Sequence, residues 1–319
     1  MAILQEVLEE FRTSIPWTYA PLAIFFFFAA RCFYRVFLNQ LSHIAGPWYT
    51  KCSSLWLYYH VWIGDQCTAV HKLHEKYGPI LQIAPNDIDI AKGEALWSIY
   101  MDNGGFEKST AYNNFDIDGH PTIFSTVALA KRASRAKAVL PVFSMAAIRE
   151  ATGTITGCAD AMVERMVAES KTGEPVNVLN LTRSFALDAV SAYVFQDPYG
   201  ALEEKSSQLS ASPVVDLFVA VGRAFNMPRR LFALQQWVVD TISSNHQTQE
   251  CVNIVDGYLR RMVADTKQGG SSYQSRLLTF GASKHETAAQ CMDVFFAGTD
   301  STGLNLAFIC HSLVSHPTV

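Results

Sequence analysis

Near the end of this 319-residue chain, Ala297-Gly298-Thr299-Asp300-Ser301-Thr302 set a carboxylate among three hydroxyls, with glycines at 298 and 303. An acid beside a hydroxyl can relay protons to a small oxygen ligand. Seating such a ligand inside a helix requires the backbone to bend or its hydrogen-bond ladder to open. Glycine costs about 1 kcal/mol in a helix interior relative to alanine, and short polar side chains compete for backbone bonds. Two readings stand for the stretch. Either it is an opened helix that holds a ligand, or it is a kink in a buried helix whose polar groups are satisfied locally.

The element that must carry these residues is a single long helix over Ser283–Pro317. Ser283 followed by Glu286 forms a capping box, in which each satisfies a backbone donor at the helix start. Ala288, Cys291, Met292, Phe295 and Phe296 recur at helical spacing, Leu306, Phe308, Ile309 and Leu313 resume it, and Pro317 supplies the stop. More than thirty residues at about 1.5 Å each give a rod of roughly 48 Å, enough to cross a domain.

Around that rod the chain is apolar, with 49% hydrophobic residues and twenty phenylalanines, and carries a formal net charge of −4. With no Lys/Arg-rich run, this balance argues against a nucleic-acid partner. The cysteines at 32, 52, 67, 158, 251, 291 and 310 include no CxxC, which reads as reduced intracellular thiols. Asn180-Leu181-Thr182 is a glycosylation sequon that matters only on a lumenal domain. No internal repeat, phosphate-binding glycine loop, dinucleotide fingerprint or GxSxG is present, so the sequence offers no nicotinamide, flavin or ATP site.

Thr13–Ala30 is uncharged and bears Trp17 and Tyr19 as interfacial residues. Arg31 and Arg35 follow it and only Arg12 lies before it, which places the downstream domain in the cytosol. A cleaved signal peptide is the competing reading. The acidic leader with Glu6, Glu9 and Glu10, and the absence of a small-x-small cleavage site, oppose it. We therefore divide the chain into an anchor, 1–37, and a domain, 38–319.

Beyond a turn at Ile44-Ala45-Gly46-Pro47, a short helix is expected over Ala69–Tyr77. Its His71, His74 and Glu75 do not follow a zinc spacing and read as exposed helix residues. Ile80–Ile83 and Ile88–Ala91, alternating about Ala84-Pro85-Asn86-Asp87, predict a β-hairpin. Asn113–Thr126 reads as a loop, Lys131–Lys137 as a basic helix, and Ile148–Glu169 as a helix whose Gly153 and Gly157 could permit close packing. Leu181–Phe195 is an apolar helix whose Arg183 and Asp188 read as pairing or facing solvent. Val214–Phe225 and Leu231–Ile242 flank Met227-Pro228, Cys251–Asp265 is a further helix, and Lys267–Tyr273 is a linker.

The motif at 297–302 resembles the central-helix motif of cytochrome P450 monooxygenases, and Lys76–Ile90, KYGPILQIAPNDIDI, resembles the corresponding run of fungal membrane-bound members. Phe106-Glu107-Lys108-Ser109 with Tyr112, and Leu140-Pro141-Val142-Phe143-Ser144, resemble further landmarks. The resemblance implies a mainly α P450-type fold with small amino-terminal β-hairpins and a transmembrane helix. It gives Asp300 and Ser301 the proton-delivering acid and hydroxyl roles over a heme, with Ala297 and Gly298 on the heme side. Serine stands where the family more often has threonine, so the pocket loses a methyl that restrains the rotamer. The loop at 113–126 would cover a substrate cavity, and the Met227-Pro228 region would form an access lid. Counting back from Phe143, Arg132 falls at an aromatic position, Ala133 and Ala136 at the usual arginine positions, and Lys137 at the next basic one. Arg132, Arg135 and Lys137 are thus candidates to grip a heme propionate, against a reading as a solvated basic face. No metal ligand is assigned.

The family's ExxR helix and heme-ligating cysteine segment have no counterpart here, so the resemblance covers residues 20–317 and the amino-terminal three-fifths of a full member. We expect a fold incomplete at its carboxyl end, as a truncated product, a fragment or a gene model missing its last exons. Such a fold leaves an apolar face of the central helix open. For a complete member the resemblance implies a heme-thiolate monooxygenase of fungal secondary metabolism, with an NADPH-dependent reductase and an apolar small-molecule substrate, facing the cytosol from the endoplasmic reticulum membrane. For the 319 residues alone no P450 catalysis is expected, because no cysteine has the ligand context. The alternative is an inactive relative serving as a membrane-tethered helical interaction protein.

Overall fold

The computed structural model describes residues 19–102, 105–205, 210–222, 224–242 and 246–316. The acidic leader, Arg12, Trp17 and the Pro317 stop lie outside them. The chain divides into two compact units, residues up to Gly105 and residues from Phe106.

In the first unit, α1 (Ala20–Phe33) continues through a π-helical turn, Tyr34–Leu38. Together they form the one helix among the described residues long and apolar enough to cross a membrane, with a mean hydropathy of 1.6 and no buried residue. The chain then threads a polar knot into α2 (Trp48–Cys52). Gly46, at φ +147°, lies so close to β1 that a Cβ would sit 2.8 Å from the Gln82 carbonyl oxygen. Thr50 Oγ1 donates to that same oxygen at 2.7 Å, and Lys51 Nζ donates to the Ser42 and Ile44 carbonyls. A Cys32–Cys52 disulfide, Cα–Cα 4.9 Å, joins α1 to α2, which corrects the expectation of seven reduced thiols. Helix packing brings the pair together across a separation that offered no sequence cue.

Helices α3 (Leu55–Ile63) and α4 (Gln66–Tyr77) pack on the hairpin β1 (Ile80–Ala84)–β2 (Asp87–Ile90), and α5 (Ala95–Tyr100) follows. The antiparallel register pairs Ile80 with Ile90 and Ala84 with Asp87. Leu57, Val61, Leu81 and Ile83 form the small core, each worth about 1.5–3 kcal/mol when fully buried. His74, read as exposed, instead bridges elements. Its Nε2 lies 2.7 Å from Asp89 Oδ1 and its Nδ1 2.8 Å from the Gly78 carbonyl. Burial lowers its pKa, but the Asp89 and Gly78 bonds outweigh this and the net shift is upward.

The second unit is helical, in the order α6 (Leu129–Val139), α7 (Met145–Glu150), α8 (Thr152–Ser170), α9 (Val178–Val190), α10 (Ala211–Gly222), α11 (Arg229–Ile242), α12 (His246–Asp265), α13 (Tyr273–Thr279) and α14 (Lys284–Ser315). The expected helix over 148–169 is two helices, separated at Ala151, and Gly153 and Gly157 face open space rather than a neighbour. Helix α14 is the axis, packed against α9, α10, α12 and α13. Cys291 and Phe295, fully buried, join Leu187, Val255, Leu259 and Leu277 in the core. Half of the predicted capping box forms, with Ser283 Oγ accepting from the Glu286 amide at 3.1 Å. The Glu286 carboxylate turns away to accept from Arg135 Nε at 2.6 Å, because an ion pair to α6 outcompetes a return bond to a single amide.

Candidate active site

Helix α14 runs α-helical straight through the polar motif, without the opened ladder that ligand seating suggested. Ser301, Asn305 and Asp300 find local or neighbouring partners, whereas the Thr299 hydroxyl, fully buried, has no hydrogen-bond partner among the described residues. Ser301 Oγ donates to the Ala297 carbonyl at 2.7 Å, and Asn305 Nδ2 donates to the Ser301 carbonyl at 2.7 Å. Successive helix residues turn by about 100°, so neighbours in sequence face different ways. Thr299 and Gly303 are buried toward α9, while Ala297, Ser301, Leu304 and Phe308 are exposed along an open, largely apolar strip.

Both glycines set the depth of the α9 contact. A Cβ on Gly303 would meet the Arg183 Cα at 2.8 Å, and one on Gly298 the Val190 Cγ2 at 2.5 Å. The Gly303 carbonyl accepts from Thr182 Oγ1 at 2.8 Å. Gly298, a candidate on the cofactor side, therefore presents its α-carbon to α9, whereas Ala297 shares the open strip with Ser301.

That close approach delivers Arg183 to Asp300. Arg183, whose side chain is only 7% exposed, donates from Nη2 to Asp300 Oδ1 at 2.8 Å and from Nη1 to Asp216 Oδ1 at 2.7 Å. One guanidinium thus ties α9, α10 and α14 together at the acid of the motif. Asp188, read with Arg183 as pairing or facing solvent, instead accepts from the Ala201 and Leu202 amides at 2.7 and 2.9 Å. Burial raises its pKa, against the pull of these bonds.

One to two turns ahead of Ala297, a cavity of about 440 Å³ opens between α6, α14 and the preceding loop. Arg132, Ala136, Leu140 and Phe143 line it at four- and three-residue steps, facing Phe124, Asp293, Val294 and Lys108. Of the three basic candidates on α6, only Arg132 reaches it. Arg135 is engaged by Glu286, and Lys137 is exposed and lines no wall of this cavity. Lys108 donates to the Phe124 carbonyl and lies 5.0 and 4.9 Å from the Tyr112 and Phe124 ring centroids. Desolvation and the nearby Arg132 lower the Lys108 pKa, partly offset by Asp293. Burial raises that of Asp293, against bonds from the Thr122 hydroxyl and Phe124 amide and the Lys108 charge.

The loop over this cavity is stapled at both ends. Gln290, fully buried on α14, accepts from the Ile123 amide at 2.9 Å and donates to the Pro121 carbonyl at 3.1 Å. Asn114 Nδ2 donates to the Phe225 and Met227 carbonyls at 2.7 and 2.9 Å, which latches the loop to the turn after α10. Phe115 packs on Phe124 and Phe225, and Phe218 stacks on Phe296 of α14 at 4.1 Å. Sequence reasoning missed Arg183, Gln290 and Asp293 as site residues. Their one signal was a charged or amide side chain within an otherwise apolar helical run.

A family model described as Cytochrome P450 matches residues 51–319. The chain belongs to the cytochrome P450 family. Fungal proteins stand among its relatives. It is 32% identical to cytochrome P450 monooxygenase mfmF of Annulohypoxylon moriforme, over 94% of this chain and 65% of that one. Identity is 26% to cytochrome P450 monooxygenase atnE of Emericella nidulans, over 92% and 60% of the two chains. It is 23% to tryprostatin B 6-hydroxylase of Aspergillus fumigatus, over 91% and 52%. The chain thus spans about three-fifths of the length of the first two relatives. P450 membership accounts for the mainly helical unit with its long axial helix and for the hairpin near the amino terminus.

Proposed function

We propose that this domain forms the oxygen side of a heme-thiolate monooxygenase of fungal secondary metabolism. In that reading it is anchored by α1 in the endoplasmic reticulum membrane, faces the cytosol, and oxidises an apolar small molecule with electrons from an NADPH-dependent reductase. The observation that carries the proposal is the arrangement at the motif. Asp300 is fixed by a buried arginine, and Ser301 stands on an open apolar strip one turn from Ala297.

The residues fit a flat, apolar group bearing carboxylates. Phe124, Leu140, Phe143 and Val294 supply apolar walls to the neighbouring cavity, and Lys108 and Arg132 supply two cations beside the one acid, Asp293, whose pKa burial raises. Arg132 and Lys108 would hold the heme's carboxylates, while Ala297 and Ser301 would face the ring. None of the chain's cysteines lines that cavity, so no thiolate ligand is assigned among them. When bound through a thiolate, heme supplies oxygen activation, with sulfur electron donation favouring oxygen–oxygen cleavage. The chain's own part is proton handling. Arg183 holds the Asp300 carboxylate, and the Ser301 hydroxyl, parked on the Ala297 carbonyl, is free to rotate and donate into the open strip. The loop over the cavity is held in place by its Gln290 and Asn114 staples.

In the heme-loaded protein read from its full transcript, a thiolate-type band in the reduced carbon-monoxide difference spectrum is expected. Asp300→Asn and Ser301→Ala should retain that band while slowing turnover by up to about a hundredfold or diverting reductant from product. Loss of heme in either variant, or unchanged turnover in both, removes the proposal's proton-handling assignment. Absence of the band in the parent overturns the monooxygenase reading itself.

A further inference from the structure

Where α1 leaves its uncharged run, the first unit encloses a cavity of about 530 Å³. Phe28, Arg31, Cys32 and Arg35 line it from one face of the helix, at steps of three or four residues. Ser53 and Ser54, just ahead of α3, and the Pro85-Asn86 turn of the hairpin form the other walls. Resting on the reading of α1 as a membrane anchor, we propose that this cavity binds the headgroup of an anionic phospholipid. Arg31 and Arg35 hold its phosphate, and an acyl chain lies along Phe28.

Two like charges are brought together here. Among the described residues neither arginine forms an ion pair, although arginines elsewhere in the chain repeatedly do so. Guanidinium forks match phosphate oxygens bidentately, and adjacent serine hydroxyls add donors of the kind phosphate accepts. Helix α1 and its π-helical turn pack on α2, the helix that ends just before Ser53, which holds the walls together.

Depth selects a lipid as the source of that phosphate. The uncharged run ends at Ala30, so Arg31 and Arg35 stand at headgroup level with their stems along the apolar layer. Phe25, Phe26, Phe27 and Phe28 are each more than 60% exposed on the membrane side of the cavity. Free phosphate has no use for such a surface. Two cations also favour a net negative headgroup over a zwitterionic one, whose own ammonium offsets the attraction.

The test places the full chain in phosphatidylcholine vesicles with spin-labelled phosphatidylserine or spin-labelled phosphatidylcholine, and reads the motionally restricted fraction of each. Preference for phosphatidylserine is expected, falling about fivefold for each arginine removed in Arg31→Gln and Arg35→Gln. It should weaken in the Arg31→Lys/Arg35→Lys double variant, which keeps the charge and loses the forks, and persist in Lys171→Gln, a cation of the other unit. Equal restriction of both lipids, or a preference unchanged in the Gln variants, overturns the lipid site while leaving the anchor intact. Loss of the preference on adding inorganic phosphate at constant ionic strength reassigns the cavity to free phosphate. A chain that does not enter the vesicles at all removes the anchor, and this site with it.

Discussion

Arg183 carries more of the proposed chemistry than any residue outside the motif, because it fixes where the acid of the motif can point. Its two terminal nitrogens serve Asp216 and Asp300 separately, a division that only a fork-shaped cation makes from a single buried position. Arg183→Lys keeps the charge and loses the second arm. Turnover of the heme-loaded protein should fall about tenfold, which corresponds to about 1.4 kcal/mol of barrier, while its thiolate-type spectrum persists. Unchanged turnover in this variant would mean that Asp300 needs no such holder. A second residue-scale expectation concerns His74. Its pKa is raised in the folded chain, so the bridge to Asp89 contributes in full below the unfolded value of about 6.5 and fades as pH climbs through the higher folded value. Hydrogen-exchange protection of the β1 amides should therefore decline with rising pH across that window, and His74→Gln should remove the dependence. Both residues were visible in the sequence as types but not as partners. Asp89 lies fifteen positions from His74 and Asp300 lies 117 from Arg183, separations that no local pattern encodes.

At the scale of elements, the junction of α9 with α14 decides whether that arginine reaches its acid. Gly303 meets the α9 backbone, which cannot yield without moving the helix, whereas Gly298 meets a valine methyl. Gly303→Ala should thus cost about 1–3 kcal/mol through overpacking, measured as a lowered denaturation midpoint. Gly298→Ala should cost less, since Val190 can shift locally and alanine favours the helix by about 1 kcal/mol. Equal costs would show that the two glycines do not differ in what they touch. The length and start of α14 were legible because apolar periodicity and a serine cap are local signals. The hairpin was legible for the same reason, its turn residues standing between two alternating runs. The uninterrupted course of α14 was not, since glycine and hydroxyl content signals a weak ladder but does not show that Ser301 and Asn305 bond back onto it. Nor was the diversion of Glu286 to Arg135, which depends on α6 arriving alongside.

For the molecule as a whole, the partition between membrane and water rests on two separate apolar surfaces. One is α1 with its π-helical turn, Ala20–Leu38, which has no buried residue. The other is the open strip of α14, where Leu304 is 53% and Phe308 68% exposed. A spanning helix fixes a protein in the bilayer far more firmly than a single apolar strip, which is long enough to associate but is interrupted by Asn305, His311 and Ser312. Deleting residues 1–37 should therefore release the protein from the membrane pellet. The strip should carry much of the released protein into aggregates rather than leave it monomeric. Deletion also removes Cys32 and frees the Cys52 thiol, so the pelleting assay needs a Cys32→Ser/Cys52→Ser full-length control. That control should stay in the membrane, because the disulfide positions α1 against α2 without supplying apolar area. In sealed microsomes the full chain should lose the epitope of its α14 segment to added protease, as the arginines following the apolar run direct. Equal membrane retention with and without residues 1–37 would transfer the anchoring role from α1 to the α14 strip, and protection of the epitope would reverse the orientation.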